Sequence, residues 1–183
     1  MYIMLCIYNI IHTGMKPATQ FLRDSEIRLT QRGFIQVDGH MTTKVPNVYA
    51  IGDVTMFPLA IRGGEMVNIQ HWQMAQAHGR IAALDIIRSL SYIVGSSQTP
   101  PPVAIVPFFW TVQYGRSLRF AGCASGHDDV IIQGDLDELK FAAYYVKNDV
   151  IVGMATMSMD PLVAEFANKL SKGDVVLKQD VQH

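Results

Sequence analysis

Val45-Pro46-Asn47-Val48-Tyr49-Ala50-Ile51-Gly52-Asp53 is the stretch that decides the fold class of this chain. Its apolar run ends abruptly in Gly-Asp, a pattern typical of a buried parallel strand (Val48–Ile51) that brings a carboxylate to the carboxyl edge of a sheet. Open α/β sheets bind ligands at that edge. Because Gly52 lets a ligand approach the backbone and Asp53 can accept hydrogen bonds from sugar or ribityl hydroxyls, we predict a ligand site here. The alternative is an ordinary strand followed by a polar turn.

Composition limits the class of protein and the kinds of partner and metal site that the chain can have. The 183 residues are 49% hydrophobic and 17% charged, with a formal net charge of -1, which predicts a globular protein of one or two domains. This charge gives no indication of nucleic acid or an anionic membrane surface as a partner. No two histidines stand at metal-ligand spacing, and Cys6 and Cys123 form no C-x-x-C, so we predict no metal site and two small buried side chains. Met1–Ile11 is too short to span a bilayer and predicts a core strand.

Turn and spacing signals organise the first half of the chain. We expect a turn over His12–Pro17, a helical turn and loop over Leu22–Leu29, an extended stretch over Phe34–Val37, and a loop over Met56–Glu65, which contains Pro58 and two glycines. Asn68 is expected to cap a helix. The apolar or small residues of that helix recur at Trp72, Ala75, Gly79, Ala82, Ala83, Ile86 and Leu90. Because the residues in the middle of this stripe have small side chains, we expect another part of the structure to pack very close against the helix there.

The second half has a different pattern. After a Gly/Ser/Pro-rich linker that ends at Pro102, strands are predicted at Val130–Ile132, Lys140–Val146 and Val150–Met157, the last two forming a hairpin. Asp160-Pro161 is expected to start a final helix that stops at Gly173. Its apolar stripe is Leu162, Val163, Phe166, Ala167 and Leu170. These signals predict a small antiparallel α+β unit. His127, Asp128 and Asp129 are expected in a solvated loop.

Four motifs occur in a fixed order: Gly14-Met15-Lys16-Pro17, Thr43 to Asp53, Asn68-Ile69-Gln70-His71-Trp72, and Pro107-Phe108-Phe109-Trp110-Thr111. In this order they resemble the pyridine-nucleotide oxidoreductases, flavoproteins with two dinucleotide folds. The chain is most similar to the apoptosis-inducing-factor-like branch that carries a Rieske domain, a likeness that Asp128–Leu136 strengthens. The resemblance implies an α/β chain: a partial Rossmann-like FAD/NAD(P)-binding domain over residues 1–95, a linker over 96–102, and an α+β C-terminal domain with antiparallel strands over 103–183.

The resemblance gives the Gly-Asp pair a role in cofactor binding. It implies that Gly52 and Asp53, with Thr43 at the family spacing, hold the ribityl or pyrophosphate part of FAD. The alternative for Asp53 is a turn carboxylate.

Four further residues are implied to lie near the reacting end of the cofactor. His71 and Trp72 are placed where the positive helix N-terminus meets the flavin pyrimidine ring. Trp110 is placed beside the isoalloxazine, and Gly14 in a turn close to the nicotinamide. The alternatives are a surface histidine for His71, and core aromatic residues for Trp72 and Trp110.

The implied reaction of the whole protein is hydride transfer from NAD(P)H to FAD, with electrons passed onward one at a time to an acceptor such as an iron–sulfur centre. No residue of this chain is expected to act as a catalytic acid or base. The implied partners are NAD(P)H and an electron acceptor, and a homodimer is left open. A [2Fe-2S] cluster is expected only in an N-terminal domain that this chain lacks, since the Cys/His pairs of a Rieske centre are absent. The alternative is a pro-apoptotic signalling or interaction protein with the flavin fold as a scaffold.

The dinucleotide fingerprints of the family are also absent. The sequence has no G-x-G-x-x-G, and Gly63-Gly64 does not fit that pattern. We therefore expect a truncated product or gene-model fragment that starts inside the nucleotide domain. The chain shows no targeting signal, and we expect an intracellular protein, mitochondrial or cytoplasmic.

Overall fold

The computed structural model describes residues 15–93, the first region, and 105–181, the second region. The elements are β1 (Ile35–Gln36), β2 (Thr55–Leu59), β3 (Glu65–Val67), α1 (Trp72–Ile93), β4 (Phe108–Gln113), β5 (Arg116–Gly122), β6 (Asp129–Asp135), β7 (Lys140–Lys147), β8 (Val150–Met157) and α2 (Leu162–Ser171). The predicted strand over Met1–Ile11, Gly14, Cys6 and the linker over 96–102 lie outside the described residues. None of the described helices is both long and apolar enough to cross a bilayer.

A short mixed sheet forms the centre of the first region. β1 runs parallel to β2, with Ile35 opposite Thr55, and β3 pairs antiparallel to β2. The sheet and α1 enclose one apolar core, made of Ile35, Val37, Met41, Phe57, Leu59, Val67, Met74, Ile81, Ala82 and Cys123. Cys123 is therefore the small buried side chain that was predicted, although it comes from the second region. The extended stretch predicted over Phe34–Val37 is confirmed as β1.

The predicted parallel strand over Val48–Ile51 is wrong. The segment is extended but joins no sheet, and its one bridge pairs Tyr49 with Thr42. Its backbone donors are used elsewhere, because the Ala50 N–H donates to the Met41 carbonyl (3.1 Å) and the Gly52 N–H to a histidine ring. The Gly-Asp pair consequently precedes β2 instead of following a strand.

The predicted loop over Met56–Glu65 is also wrong, because it contains the β2–β3 hairpin. Pro58 was the misleading signal, since proline cannot donate to a sheet ladder. Pro58 lies beyond the two residues that pair with β1, but it is opposite Met66 of β3 and so belongs to the antiparallel pair. The glycines after Arg62 form the turn of the hairpin, and both have positive φ.

The second region is a five-stranded antiparallel sheet with the order β4-β5-β8-β7-β6. The three predicted strands are confirmed as β6, β7 and β8, as is the β7–β8 hairpin. β4 and β5 were missed, because the run from Phe108 to Thr111 had been assigned only to a motif and β5 mixes arginine and serine with apolar residues. His127 and Asp128 lie in an exposed loop, as predicted, whereas Asp129 is exposed but is the first residue of β6.

α2 covers one face of this sheet with the predicted apolar stripe. Val163 and Phe166 are buried in a core of their own, and Leu162, Ala167 and Leu170 pack at its margin. The predicted stop at Gly173 is confirmed: its φ is 81°, and the Asp174 N–H returns to the Lys169 carbonyl at 3.0 Å.

The predicted start of this helix needs correction. Pro161 occupies the N-cap position instead of the first helical one, and the Asp160 side chain does not cap the helix. Instead the Asp160 carboxylate pairs with Arg119 Nε (2.6 Å) and accepts from Ser117 Oγ (3.0 Å), which ties the helix start to β5.

α1 is the predicted long helix, but Asn68 does not cap it. The helix begins at Trp72, and the Ala75 N–H donates to the His71 carbonyl at 3.0 Å. Its buried side is formed by Met74, His78, Ile81 and Ala82, whereas Trp72, Ile86 and Leu90 of the predicted stripe are exposed.

Candidate functional site

The Gly52–Asp53 pair forms a tight turn whose conformation only glycine adopts without strain. Gly52 has a φ of 79°, and a 3-10 turn over Gly52–Val54 leads into β2. Asn68 holds this turn from the other side, because its Nδ2 donates to the carbonyls of Asp53 (2.8 Å) and Thr55 (2.7 Å). The Asp53 side chain is exposed. The turn therefore presents a carboxylate to the surface on a fixed backbone.

His78 supports the same turn from beneath and was missed in the sequence. The Gly52 N–H donates to His78 Nδ1 at 3.2 Å, and the ring is fully buried. Because Nδ1 accepts, the ring proton lies on Nε2, for which the described residues offer no hydrogen-bond partner. Phe57 packs edge-on against the ring, with centroids 4.4 Å apart. Burial lowers the pKa of His78, so the imidazole is neutral at pH 7.

The small residues of α1 allow the segment that carries the Gly-Asp pair to pack against the helix. A Cβ at Gly52 would lie 3.5 Å from the Ala75 Cβ, and one at Gly79 would lie 3.7 Å from Ile51. Further along the helix, Tyr49 donates its hydroxyl to Asp85 at 2.9 Å. The stretch from Tyr49 to Gly52 therefore packs against the stripe, as expected, but at ordinary van der Waals distances, and Ala83 of the stripe is exposed.

Three predicted site residues meet at the start of α1. The ring centroids of Trp72 and Trp110 are 6.3 Å apart, with an angle of 63° between the ring planes. The ring centroids of His71 and Trp72 are 6.0 Å apart. Phe109 of β4 contacts His71 edge-on at 5.7 Å. Trp72 is 58% exposed and Trp110 47%, so neither is the core aromatic of the alternative interpretation. We call His71, Trp72, Phe109 and Trp110 the aromatic cluster.

An apolar cleft of about 280 Å³ lies beside the aromatic cluster, between the two regions. Ile69 and Met74 line it from the first region, and Pro107, Phe120 and Ala124 from the second. The backbone N–H groups of a first helical turn have no acceptor within their own helix. At its N-terminus α1 therefore combines hydrogen-bond donors and a partial positive charge with exposed aromatic rings.

The structure brings together five of the seven predicted site residues. Gly52 packs on Ala75, one turn from the aromatic cluster, which holds His71, Trp72 and Trp110, and Asp53 follows Gly52. Thr43 lies apart from them, in a turn where its hydroxyl accepts from the Val45 N–H at 3.1 Å and its N–H donates to the Val48 carbonyl at 2.9 Å. Gly14 is outside the described residues. His78 and Asn68 could not be recognised as site residues, because their partners are 13 to 26 positions away in sequence.

Two family models match the chain. The pyridine nucleotide-disulphide oxidoreductase model matches residues 5–79, and the reductase C-terminal model matches residues 108–181. Human apoptosis-inducing factor 3 is 46% identical over 173 residues, 94% of this chain and 27% of its own length. A 5,5'-dehydrodivanillate O-demethylase ferredoxin reductase subunit from Sphingobium sp. is 31% identical over 66% of this chain and 27% of its own length.

Among solved structures, the covalent putidaredoxin reductase–putidaredoxin complex superimposes with a TM-score of 0.72. The match covers 91% of this chain and 37% of that one at 20% identity, so it establishes the fold alone. The predicted fold class, a partial Rossmann-like part followed by an antiparallel α+β part, is confirmed. The chain spans about a quarter of the length of the curated relatives it matches. This chain belongs to the apoptosis-inducing-factor-like pyridine nucleotide oxidoreductases.

Proposed function

We propose that this chain supplies one side of the flavin site of an FAD-dependent NAD(P)H oxidoreductase that delivers electrons to a protein acceptor. The observation that carries the proposal is the meeting of the Gly52–Asp53 turn, the α1 N-terminus and Trp110. In the proposed protein, residues 1–95 belong to the FAD/NAD(P)-binding domain, 96–102 to a linker and 103–183 to the C-terminal domain.

The chemistry of these groups fits a flavin. The exposed Asp53 carboxylate can accept hydrogen bonds from ribityl hydroxyls. The aromatic cluster offers exposed ring surface to a planar heterocycle. When bound, FAD would accept a hydride from reduced nicotinamide and release electrons singly.

The proposed roles of the chain's own residues follow from these contacts. The α1 N-terminus, with His71 and Trp72, stabilises negative charge that develops on the pyrimidine side of the ring. Trp110 contacts the ring from the second region and limits access to it. Thr43 holds the turn that precedes the Gly-Asp segment, and Gly14 remains a proposed nicotinamide contact. None of these residues needs to exchange a proton with substrate.

A protein acceptor is supported by the relative from Sphingobium sp., whose name describes a ferredoxin reductase subunit and which is 31% identical to this chain. An iron–sulfur acceptor, including a Rieske centre elsewhere in the protein, is therefore our proposal for the electron partner.

The test uses a protein in which this chain follows a complete nucleotide-binding region. We expect stoichiometric FAD, oxidation of NADH or NADPH, and reduction of a [2Fe-2S] ferredoxin. A protein that folds without FAD would overturn the proposal and favour the scaffold alternative.

Trp110→Phe tests the flavin contact directly. Since Trp110 is half exposed, its replacement should change flavin fluorescence and NAD(P)H turnover while leaving stability nearly intact. Tyr114→Phe is the matched control, because Tyr114 is fully exposed at the end of the same β4–β5 hairpin. Unchanged flavin emission in Trp110→Phe would remove Trp110 from the site.

A further inference from the structure

Arg62 joins the two regions of the chain through hydrogen bonds to backbone. Its guanidinium comes from the β2–β3 hairpin, yet its side chain is only 5% exposed. Nη1 donates to the carbonyl of Cys123, and Nη2 donates to the carbonyl of Ser125 at 3.1 Å. Both acceptors lie in the segment that follows β5, so a cation of the first region is buried against the backbone of the second.

The charge of Arg62 is balanced at the same place. Glu65 Oε2 accepts from Arg62 Nη2 at 2.7 Å and from Nε at 3.2 Å. Lys147 Nζ, from the end of β7, reaches the same oxygen at 3.3 Å. The pKa of Glu65 is lowered, chiefly by the hydrogen bond from Arg62. The carboxylate is therefore charged at neutral pH. The network therefore has members from both regions.

A short path leads from this network to Trp110. Cys123 directly follows Gly122, whose N–H donates to the Pro107 carbonyl at 3.0 Å. Pro107 directly precedes β4, the strand that carries Phe109 and Trp110. The backbone that Arg62 holds is thus bonded to the start of the strand that reaches the α1 N-terminus.

We propose that Arg62 is a positioning residue: it holds the second region on the first and thereby keeps Trp110 against Trp72. The planar guanidinium serves here because it donates in several fixed directions, toward two carbonyls and a carboxylate, where a lysine ammonium is a compact point charge. Replacing it with an apolar side chain leaves these carbonyls without their donor. That this positioning places Trp110 for contact with a flavin rests on the proposed function. The positioning of Trp110 against Trp72 does not.

The chain contains its own reporter, because Trp72 and Trp110 are its only tryptophans and come from different regions. Two indoles 6.3 Å apart at 63° give an exciton couplet in circular dichroism. Trp72→Phe and Trp110→Phe define the spectrum without the couplet. No flavin is needed for this measurement, so failure of the flavin proposal would leave its result unaffected.

The decisive variants are Arg62→Met and Arg62→Lys, measured well below their melting temperatures. We expect Arg62→Met to lose the couplet down to the level of the single-tryptophan variants, and Arg62→Lys to retain part of it. Lys178→Met is the matched control, because Lys178 also pairs with a carboxylate, that of Asp129, but entirely within the second region and away from β4. It should keep the full couplet.

Two outcomes would overturn the proposal. A full couplet in folded Arg62→Met would show that the aromatic cluster assembles without the guanidinium. If Arg62→Met does not fold, a full couplet in Arg62→Lys would do the same. A variant that only lowers the melting temperature and keeps the couplet assigns Arg62 a purely structural role.

Discussion

The two regions of this chain differ in which groups make the hydrogen bonds that hold them together. In the second region β6 and β7 pair along seven residues, and α2 closes a separate apolar core. In the first region β1 and β2 pair along two residues, and the Gly-Asp turn is held by the side chains of His78 and Asn68. The second region is stabilised by hairpins and by the pairing of β5 with β8, all through backbone ladders, whereas the proposed site depends on side chains that reach across the fold.

The largest expected effect concerns cofactor retention. In the proposed function this chain supplies residues for the ribityl and ring end of FAD, and its sequence contains no G-x-G-x-x-G turn for the pyrophosphate. We therefore expect the chain, expressed alone, to purify without visible flavin absorbance, even though it contains the second region in full. A yellow preparation with one FAD per chain would contradict this prediction.

The self-contained core of the second region gives the next effect. Phe166→Ala should lower the free energy of unfolding by about 3–5 kcal/mol, because it removes a buried aromatic side chain between α2 and the sheet. Urea unfolding followed by circular dichroism measures the loss. Phe21→Ala is the control: Phe21 is 81% exposed in the first region, and its loss should cost less than about 0.5 kcal/mol. Equal losses in both variants would mean that Phe166 does not pack in the core that α2 closes.

Asp53→Ala tests the proposed binding role of the first region in a protein that carries the complete nucleotide-binding part. Loss of a charge-assisted hydrogen bond to a cofactor hydroxyl should cost about 1.5–3 kcal/mol, or roughly a 10- to 150-fold weaker affinity for FAD. Equilibrium titration of the apoprotein with FAD measures it. Asp137→Ala, an exposed carboxylate in the second region, should leave the affinity unchanged. The same affinity in both variants would make Asp53 a turn residue only.

The pH dependence of stability tests the support beneath the Gly-Asp turn. Burial lowers the pKa of His78 below its ordinary 6.5, and the charge of Asp53 only partly opposes this shift. As the pH falls below about 6.5, the unfolded chain takes up a proton that the folded chain excludes, so stability falls, by at most about 1.4 kcal/mol per pH unit. Above that pH this contribution is constant.

His78→Gln isolates the effect, since glutamine can accept from Gly52 but does not titrate. Urea unfolding at pH 7.5, 6.5 and 5.5 should show a steeper loss of stability in the parent chain than in the variant. Parallel pH profiles would mean that His78 is protonated without strain, against its full burial.

Much of the fold follows from local sequence. Helical spacing predicted α1 and α2, alternation and turn residues predicted β6 to β8, and Gly173 marked the end of α2, because each of these signals involves neighbours within a few residues. The predictions failed where a local signal was satisfied by a distant partner. Asn68 and Asp160 resemble helix caps, yet their side chains bind the Gly-Asp turn and β5 instead.

The sequence by itself determined the chemistry available to this protein: an apolar segment that ends in Gly52-Asp53, a helix with a small-residue stripe, and two tryptophans in separate motifs. Only the tertiary structure decided how these parts are used. It placed His78 beneath Gly52 and Arg62 against the carbonyls of Cys123 and Ser125, contacts that span 26 to 63 positions. Such contacts have no local signature, because a buried histidine or arginine is paired by whatever backbone the fold brings to it.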